Sequence, residues 1–132
     1  MPISKLIEFK NQMTGPNILL SAAFGSDGKT DGIPEMSVHY VEMQPGEEVH
    51  PHTHNRVEVY IFLTGRARVM TGSDIEDVTT GDIAMAPIGV PHGIKVIGTE
   101  PLRFYALNSP PASSCPMHEA SEEVLWKWVH NI

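Results

Sequence analysis

The sequence has little of several features that assign proteins to other classes. A single cysteine, Cys115, excludes an intrachain disulfide framework and suits a reducing compartment. No apolar run approaches the ~20 residues of a membrane span, and the start, MPISKLIEFKNQ, lacks the apolar core of a signal peptide. Nine basic residues stand against 16 acidic ones, with a formal charge of −7 and no basic stripe. These absences predict a cytoplasmic protein that binds neither nucleic acid nor a membrane.

The middle of the chain also lacks a strong helical pattern. Short β-branched, aromatic or alternating runs are separated by Gly, Pro and Asp turns, which is typical of an all-β sandwich or barrel. The 132 residues suffice for one domain with a sizeable core. The predicted strands are residues 17–24, 36–44, 57–64, 66–70, 75–80, 82–87 and 101–107, with a polar loop at 25–35.

Histidine is concentrated in the stretch GEEVHPHTHNRVEVYIFLTG, residues 46–65. His50, His52 and His54 can share one face of a strand, with same-face Cα atoms roughly 6.5 Å apart. Two such imidazoles can lean together to hold one ion at about 2.1 Å. Glu58 keeps the same parity if the strand runs on, whereas a turn at 55–56 would bring it back from a second strand. The pattern therefore indicates a metal site.

A second stretch, GDIAMAPIGVPHGIKV at residues 81–96, supplies a single His92. With it the sequence resembles the cupin superfamily. The first cupin motif is met at every spacing, and Val96 is the one departure from the second motif, where the family has an Asn that is not a metal ligand. The matching residues are Gly46, His52, His54, Glu58 and Gly65 in the first motif and Gly81, Pro87, Gly89 and His92 in the second.

The resemblance implies a double-stranded β-helix, the jelly-roll barrel of the cupins, as a single domain over residues 1–132. Its core would cover about 36–107, with an N-terminal arm at 1–35 and a tail at 108–132 that contains a short helix or strand. It also implies a divalent transition metal held by His52, His54, Glu58 and His92. Such donors suit Fe(II) or Mn(II), which we favour, as well as Ni(II), Zn(II), Co(II) and Cu(II).

Two further residues are candidates for catalysis. Tyr60 shares the face of Glu58 on its strand, so its phenol is placed to donate a proton or a hydrogen bond. His39 points into the barrel if Val41 and Met43 face the core, and a buried structural role is its alternative. Other candidates are Phe62, Met85, Arg103 and Tyr105 as cavity-lining residues, with ordinary barrel packing, or a surface salt bridge for Arg103, as the alternative. His50 or Glu42 is a candidate for an additional base. His50 precedes Pro51 at the entrance of its strand, so we expect it on the rim of the site rather than among the ligands.

The four-ligand set implies an enzyme rather than a structural metal site. One carboxylate leaves a divalent site with a charge of about +1, which favours an anionic or enolisable substrate, and a five- or six-coordinate ion keeps open positions. Cupins of this size include dioxygenases, and we expect a dioxygenase-like oxidoreductase. An isomerase, lyase or decarboxylase is the alternative, and a non-catalytic binding module is the second.

The chain ends suggest self-association. The weakly patterned N-terminus and the tryptophan-rich tail, SEEVLWKWVHNI, fit the terminal arms through which small cupins pair, and they predict a homodimer. Ser121 could cap a tail helix whose apolar face holds Val124, Leu125, Trp128 and Val129. Alternation in the same run fits a strand equally well. Both tryptophans are expected to be buried, against the barrel or a partner subunit.

Overall fold

Two antiparallel β-sheets face each other and enclose the core, in a computed structural model that describes residues 3, 5, 6, 10–11, 17–25, 35–112 and 116–132. The first sheet has the order β1 (Lys10–Asn11), β2 (Ile18–Phe24), β3 (Ser37–Met43), β10 (Leu102–Ser109), β5 (Val57–Thr64), β8 (Ile83–Ala86). The second has the order β11 (Met117–Glu119), β4 (Glu48–His54), β9 (His92–Ile97), β6 (Arg66–Thr71), β7 (Asp74–Val78). This arrangement confirms the predicted all-β double-stranded β-helix.

Strands that are distant in sequence are hydrogen-bonded neighbours in both sheets. β10 lies between β3 and β5, and β9 lies between β4 and β6. The β6–β7 hairpin turns at Gly72-Ser73, as the predicted hairpin around TGSD requires. The predicted loop at 25–35 falls mostly outside the described residues, as does most of the N-terminal arm. Among the described helices, none has the length and apolarity needed to cross a membrane.

The core lies between the inner faces of the sheets. Phe62, Phe104 and Leu102 come from the first sheet, and Val69 and Ile94 from the second, all at most 4% exposed. They occupy alternate positions along their strands because successive side chains of a strand point to opposite faces. At one end of the barrel, the same inward-facing positions are occupied by polar residues instead of apolar ones.

Strand β5 is buried on one face only. Glu58, Tyr60 and Phe62 point inward and are at most 8% exposed, although the run is apolar on both faces. Val59 and Ile61 point outward and are half-buried. The outer face of a two-sheet barrel has no second sheet of its own chain to cover it among the described residues.

The tail forms a helix, α1 (Glu122–Asn131), so the helical alternative is confirmed and the strand alternative is wrong. The Ser121 side chain accepts a hydrogen bond from the Val124 amide at 3.3 Å, and acidic residues fill the first turn. Trp128 is 1% exposed, and its Nε1 donates to Glu48 Oε1 at 3.4 Å on β4. The helix is thereby fixed to the outside of the second sheet.

Two residues of the tail are not buried against the barrel, and burial of Trp126 against a partner subunit stays a prediction. Trp126 is 63% exposed and Val129 is 65% exposed, because a helix turning 100° per residue cannot direct both of them and Trp128 toward the sheet. Trp126 stacks instead on His130, with ring centroids 4.0 Å apart.

The Pro/Ser-rich run at 108–118 has regular structure at both of its ends. Its first two residues end β10, and Met117 and His118 begin β11, which pairs with the edge of β4. The free backbone groups of that edge override a Pro/Ser-rich composition. Cys115 lies outside the described residues.

The two tryptophans of α1 provide a matched test of this packing. Trp128→Ala should lower the free energy of unfolding by about 3–5 kcal/mol, since it removes a buried aromatic side chain and leaves a cavity. Trp126→Ala should change it by no more than about 0.5 kcal/mol. Urea unfolding followed by circular dichroism measures both, and equal effects would contradict the described burial.

Candidate metal centre

Two histidines of β4 and one of β9 meet on the inner face of the second sheet. His52 pairs directly with His92 across the strands, and their ring centroids are 4.3 Å apart. His54 follows on the same face, with its ring 4.6 Å from that of His92. A Cβ on Gly93 would lie 3.0 Å from the Val49 oxygen and the Pro51 nitrogen, so a glycine after His92 permits this close approach of β4 and β9.

The carboxylate comes from the opposite sheet. The chain turns at Asn55-Arg56, leaves the second sheet and enters β5, as the turn alternative predicted. Glu58 Oε1 lies 3.3 Å from His54 Nε2 and 3.1 Å from His92 Nε2. One ligand atom from each of His52, His54, Glu58 and His92 lies within 4.8 Å of the others.

Backbone carbonyls fix which nitrogen of each ring faces the cluster. The Nδ1 atoms of His52, His54 and His92 lie 2.9, 3.1 and 3.0 Å from the carbonyls of His50, Arg56 and Val90, respectively. A carbonyl oxygen can only accept, so each Nδ1 carries the proton and donates it. The neutral rings then direct their Nε2 lone pairs inward, which is the tautomer that a metal ligand needs.

This arrangement tests whether a cation fits. With Nδ1–H directed to carbonyls, the neutral His54 and His92 offer only lone pairs to Glu58, and lone pairs facing a carboxylate oxygen in a buried site are unfavourable. A positive charge at the centre resolves this conflict, either as protons on the rings or as one metal ion. The donor set of imidazole nitrogens and one carboxylate fits a divalent transition metal.

The pKa values agree with a ligand set ready at neutral pH. Burial lowers the pKa of His52 to about 4, so this imidazole is neutral at pH 7. Burial opposes ionisation of Glu58, but hydrogen bonds from His54 and His92, when these rings also carry a proton on Nε2, and from Tyr60 outweigh that effect and hold its pKa well below the usual range. The centre thus presents a neutral imidazole and an ionised carboxylate without first releasing their protons.

Comparison with known proteins agrees with this geometry. Residues 39–108 match the family model of the cupin domain. The chain belongs to the cupin family. An uncharacterised protein of Streptomyces coelicolor is 33% identical over 78 residues, which are 59% of this cupin and 73% of that protein.

Solved structures show the same fold. The polyketide cyclase RemF of Streptomyces resistomycificus superposes with a TM-score of 0.75 at 17% identity, covering 98% of this cupin and 93% of that chain. KdgF of a Halomonas species gives 0.72 at 19% identity over 83% and 94%. A predicted oxalate decarboxylase of Thermotoga maritima gives 0.72 at 16% identity over 83% and 99%. At such identities the likeness shows the fold alone.

Tyr60 and His39 lie in one inward-facing row of the first sheet. Ala106 of β10 pairs with Tyr60 on one side and with His39 on the other, and both are at most 5% exposed. The Tyr60 hydroxyl donates to Glu58 Oε1 at 2.6 Å, and burial, followed by the Glu58 charge, raises its pKa well above the ordinary value. Burial lowers the pKa of His39. That either residue takes part in catalysis stays a prediction.

Three predicted cavity-lining residues lie on the wrong face. Met85 is 56% exposed on the edge strand β8. Tyr105 and Arg103 alternate with the inward Phe104 on β10, so both point outward. Tyr105 stacks edge-on against Tyr40, and Arg103 pairs with Glu42 at 3.4 Å. Of the predicted set, only Tyr60 and Phe62 face the interior.

The alternative bases Glu42 and His50 lie away from the cluster. Glu42 shares the outer face with Arg103. His50 has a side chain 69% exposed, and its Nε2 pairs with Glu48 Oε1 at 2.6 Å. A bulge in β4 between Val49 and His52 breaks the same-face parity that would have placed His50 with the other imidazoles.

Sequence reasoning missed two buried polar residues beside the centre, Arg56 and Asn108. They are 5% and 2% exposed and hydrogen-bond to each other. Neither belongs to the matched motif positions. A charged residue in a predicted turn reads as solvent-exposed, so the sequence carried no signal for this pair.

The exposed and inward histidines of β4 give a direct test of the ligand set. His52→Ala should lose most bound metal while the protein remains folded, and so should His92→Ala, because each removes one donor. His50→Ala, the matched control two residues before His52, should keep the wild-type metal content. Elemental analysis of untagged protein and circular dichroism provide the measurements. Wild-type metal content in the His52 and His92 variants would show that these ligands are wrongly assigned.

The lowered pKa of His52 predicts that the stability of the metal-free protein depends on pH. Stability should fall as the pH drops from about 6.5 to 4, because the unfolded chain binds a proton at His52 that the folded chain refuses. Glu58 acts in the same direction below its ordinary 4.5, since its folded pKa is lowered. The midpoint of urea unfolding should vary less with pH across this range in His52→Gln than in the wild type. An unchanged pH dependence in that variant would contradict the burial effect.

Proposed function

We propose that this cupin is a metal-dependent enzyme acting on a small organic acid or another enolisable, anionic molecule. The observation that carries the proposal is the convergence of three inward Nε2 atoms and one ionised carboxylate inside the barrel. A single carboxylate leaves a divalent centre with net positive charge, which favours an anionic oxygen. Four protein ligands leave coordination positions free on a five- or six-coordinate ion.

The metal that we propose is Fe(II) or Mn(II). Imidazole and carboxylate donors without a thiolate suit these ions, although Ni(II), Co(II), Zn(II) and Cu(II) accept the same donors. When bound, the ion would supply a Lewis acid that stabilises negative charge on a substrate oxygen and, as Fe(II), reactivity towards O2.

The chain's own residues would control protons and water around the substrate. Tyr60 keeps its proton at neutral pH and holds Glu58 by a hydrogen bond, so it acts as a donor. His39 stays neutral in the buried interior and is the candidate base. Phe62 and Phe104 pack against Tyr60 with ring centroids 6.2 and 5.4 Å away, and they keep water from this side of the row.

Two reactions fit this site. A dioxygenase-like oxidation would use an enolisable substrate together with O2. It needs a base only to remove the substrate proton that forms the enolate. An isomerase, lyase or decarboxylase would move protons without O2, and the placement of neutral His39 in the Tyr60 row favours this second candidate. A non-catalytic binding module would hold the same molecules without turnover.

One experiment separates these reactions. Protein loaded with Fe(II) or Mn(II) is tested against small keto acids, hydroxy acids and diketones for oxygen uptake, and anaerobically in D2O for deuterium incorporation by mass spectrometry. Oxygen uptake identifies the oxidation, and anaerobic exchange identifies proton transfer. Tyr60→Phe and His39→Asn should lower either rate at least tenfold, whereas Tyr105→Phe, on the outer face, should not. Tight binding with neither signal would leave only the binding module.

We further propose that the protein is a homodimer. The edge strand β8 and the turn after it expose three large apolar side chains, Ile83, Met85 and Ile88, at 65%, 56% and 55%. A second copy of this edge would cover them and pair with the outer edge of β8, which has no strand partner among the described residues. Size-exclusion chromatography with light scattering should give twice the chain mass of 14.5 kDa. A particle of the single-chain mass would contradict the dimer.

A further inference from the structure

Arg56 occupies the turn between the ligand strands β4 and β5, and its side chain is buried rather than solvated. Its Nε donates to Asn108 Oδ1 at 2.7 Å, and its Nη1 donates to the Ala112 carbonyl at 3.0 Å. Burying a guanidinium is costly unless its hydrogen bonds are made. A charged side chain in a turn is ordinarily solvated. The burial of Arg56 therefore indicates a structural role for its hydrogen bonds.

The groups that hold Arg56 are themselves fixed. Asn108 is 2% exposed on β10, where it pairs with Ser37 of β3 and with Glu58 of β5. The Ala112 amide donates to Ser37 Oγ at 3.0 Å, and Ser37 is fully buried. The guanidinium is therefore bound to β10 and to the segment that follows it, and Ser37 of β3 holds that segment in turn.

The same residue contacts the proposed ligands through its backbone. The Arg56 carbonyl accepts the Nδ1 proton of His54 at 3.1 Å and so sets the ring orientation of that ligand. Two residues further, Glu58 lies beside Asn108 in the sheet register. The hydrogen bonds of the planar guanidinium fix the short turn between β4 and β5. They thereby also fix His54, the last ligand on β4, and Glu58, the ligand on β5.

We propose that Arg56 is a positioning residue for the metal centre: its buried hydrogen bonds to Asn108 and Ala112 hold the carbonyl that orients His54. The inference rests on the metal-dependent function proposed above. Lysine is not an equivalent replacement, because its three N–H donors share one nitrogen on a flexible stem, whereas the guanidinium donates from two nitrogens, Nε and Nη1, in a fixed plane. Loss of an outer partner of a metal ligand typically weakens metal binding about 10–100-fold.

The test compares Arg56→Lys, Arg56→Gln and Asn108→Ala with Arg68→Gln as the matched control. Arg68 is also hydrogen-bonded, to Asp77 at 2.8 and 3.2 Å, but it lies on the exposed outside of the second sheet. Calorimetric titration with Mn(II) and Co(II) should show about 10–100-fold weaker binding in the three site variants and wild-type affinity in the control. The visible spectrum of bound Co(II) should change in intensity, which a loss of stability alone would not cause.

A metal-free measurement separates this inference from the proposed function. Imidazole ¹⁵N shifts should report a protonated Nδ1 on His54 in the wild type and a mixture of tautomers in folded Arg56→Lys or Asn108→Ala. Wild-type affinity, Co(II) spectrum and His54 tautomer in these variants would overturn the positioning role. If the wild type binds neither ion, the metal-dependent function is overturned, and the tautomer of His54 in the variants alone decides whether Arg56 orients that ring.

Discussion

The approach of two imidazole Nε2 atoms and a phenol to one carboxylate oxygen is the constraint on which the rest of the site depends. Glu58 Oε1 lies within 3.3 Å of His54, His92 and Tyr60. Because the Nδ1 protons are committed to carbonyls, the two rings face this oxygen with lone pairs, and only a cation at the centre makes the contact favourable. The register of β4 with β9, the glycine after His92 and the crossing from β4 to β5 all bring these atoms together.

Much of the fold and the ligand cluster could be predicted from the sequence. Alternation and turn residues located the central strands closely, since short strands bounded by Gly and Pro leave few alternatives. Motif spacing selected His52, His54, Glu58 and His92, which the structure brings together. The prediction that His52 and His54 share a face is correct because residues two apart on a regular stretch of strand point to the same side.

Positions outside the motif were harder to place, for physical reasons of the same kind. His50 lies on the rim, as its place before Pro51 indicated, and a bulge after Val49 takes it off the face of the ligands. Tyr105 and Arg103 flank the inward Phe104 on β10 and therefore point outward. Arg103 forms there, with Glu42, the surface salt bridge that was its alternative. The burial of Arg56 could not be predicted because it depends on Asn108, a partner 52 residues away in the sequence that comes close only in the folded chain. Trp126 is not buried against its own barrel because the geometry of a single helix leaves it outside, and its burial against a partner subunit stays a prediction.

The origin of the ligands in two different sheets has a mechanical consequence. Three imidazoles belong to the second sheet and the carboxylate to the first, so an ion at the centre would link the two sheets across the barrel. A bound ion would therefore add to the free energy of unfolding, because the folded barrel presents all four ligands together and the unfolded chain does not. Met43 and Leu102 lie at the opposite end of β10 from Asn108 and Glu58, and they belong to the apolar core. Two different interactions would thus hold the sheets together at the two ends of one barrel.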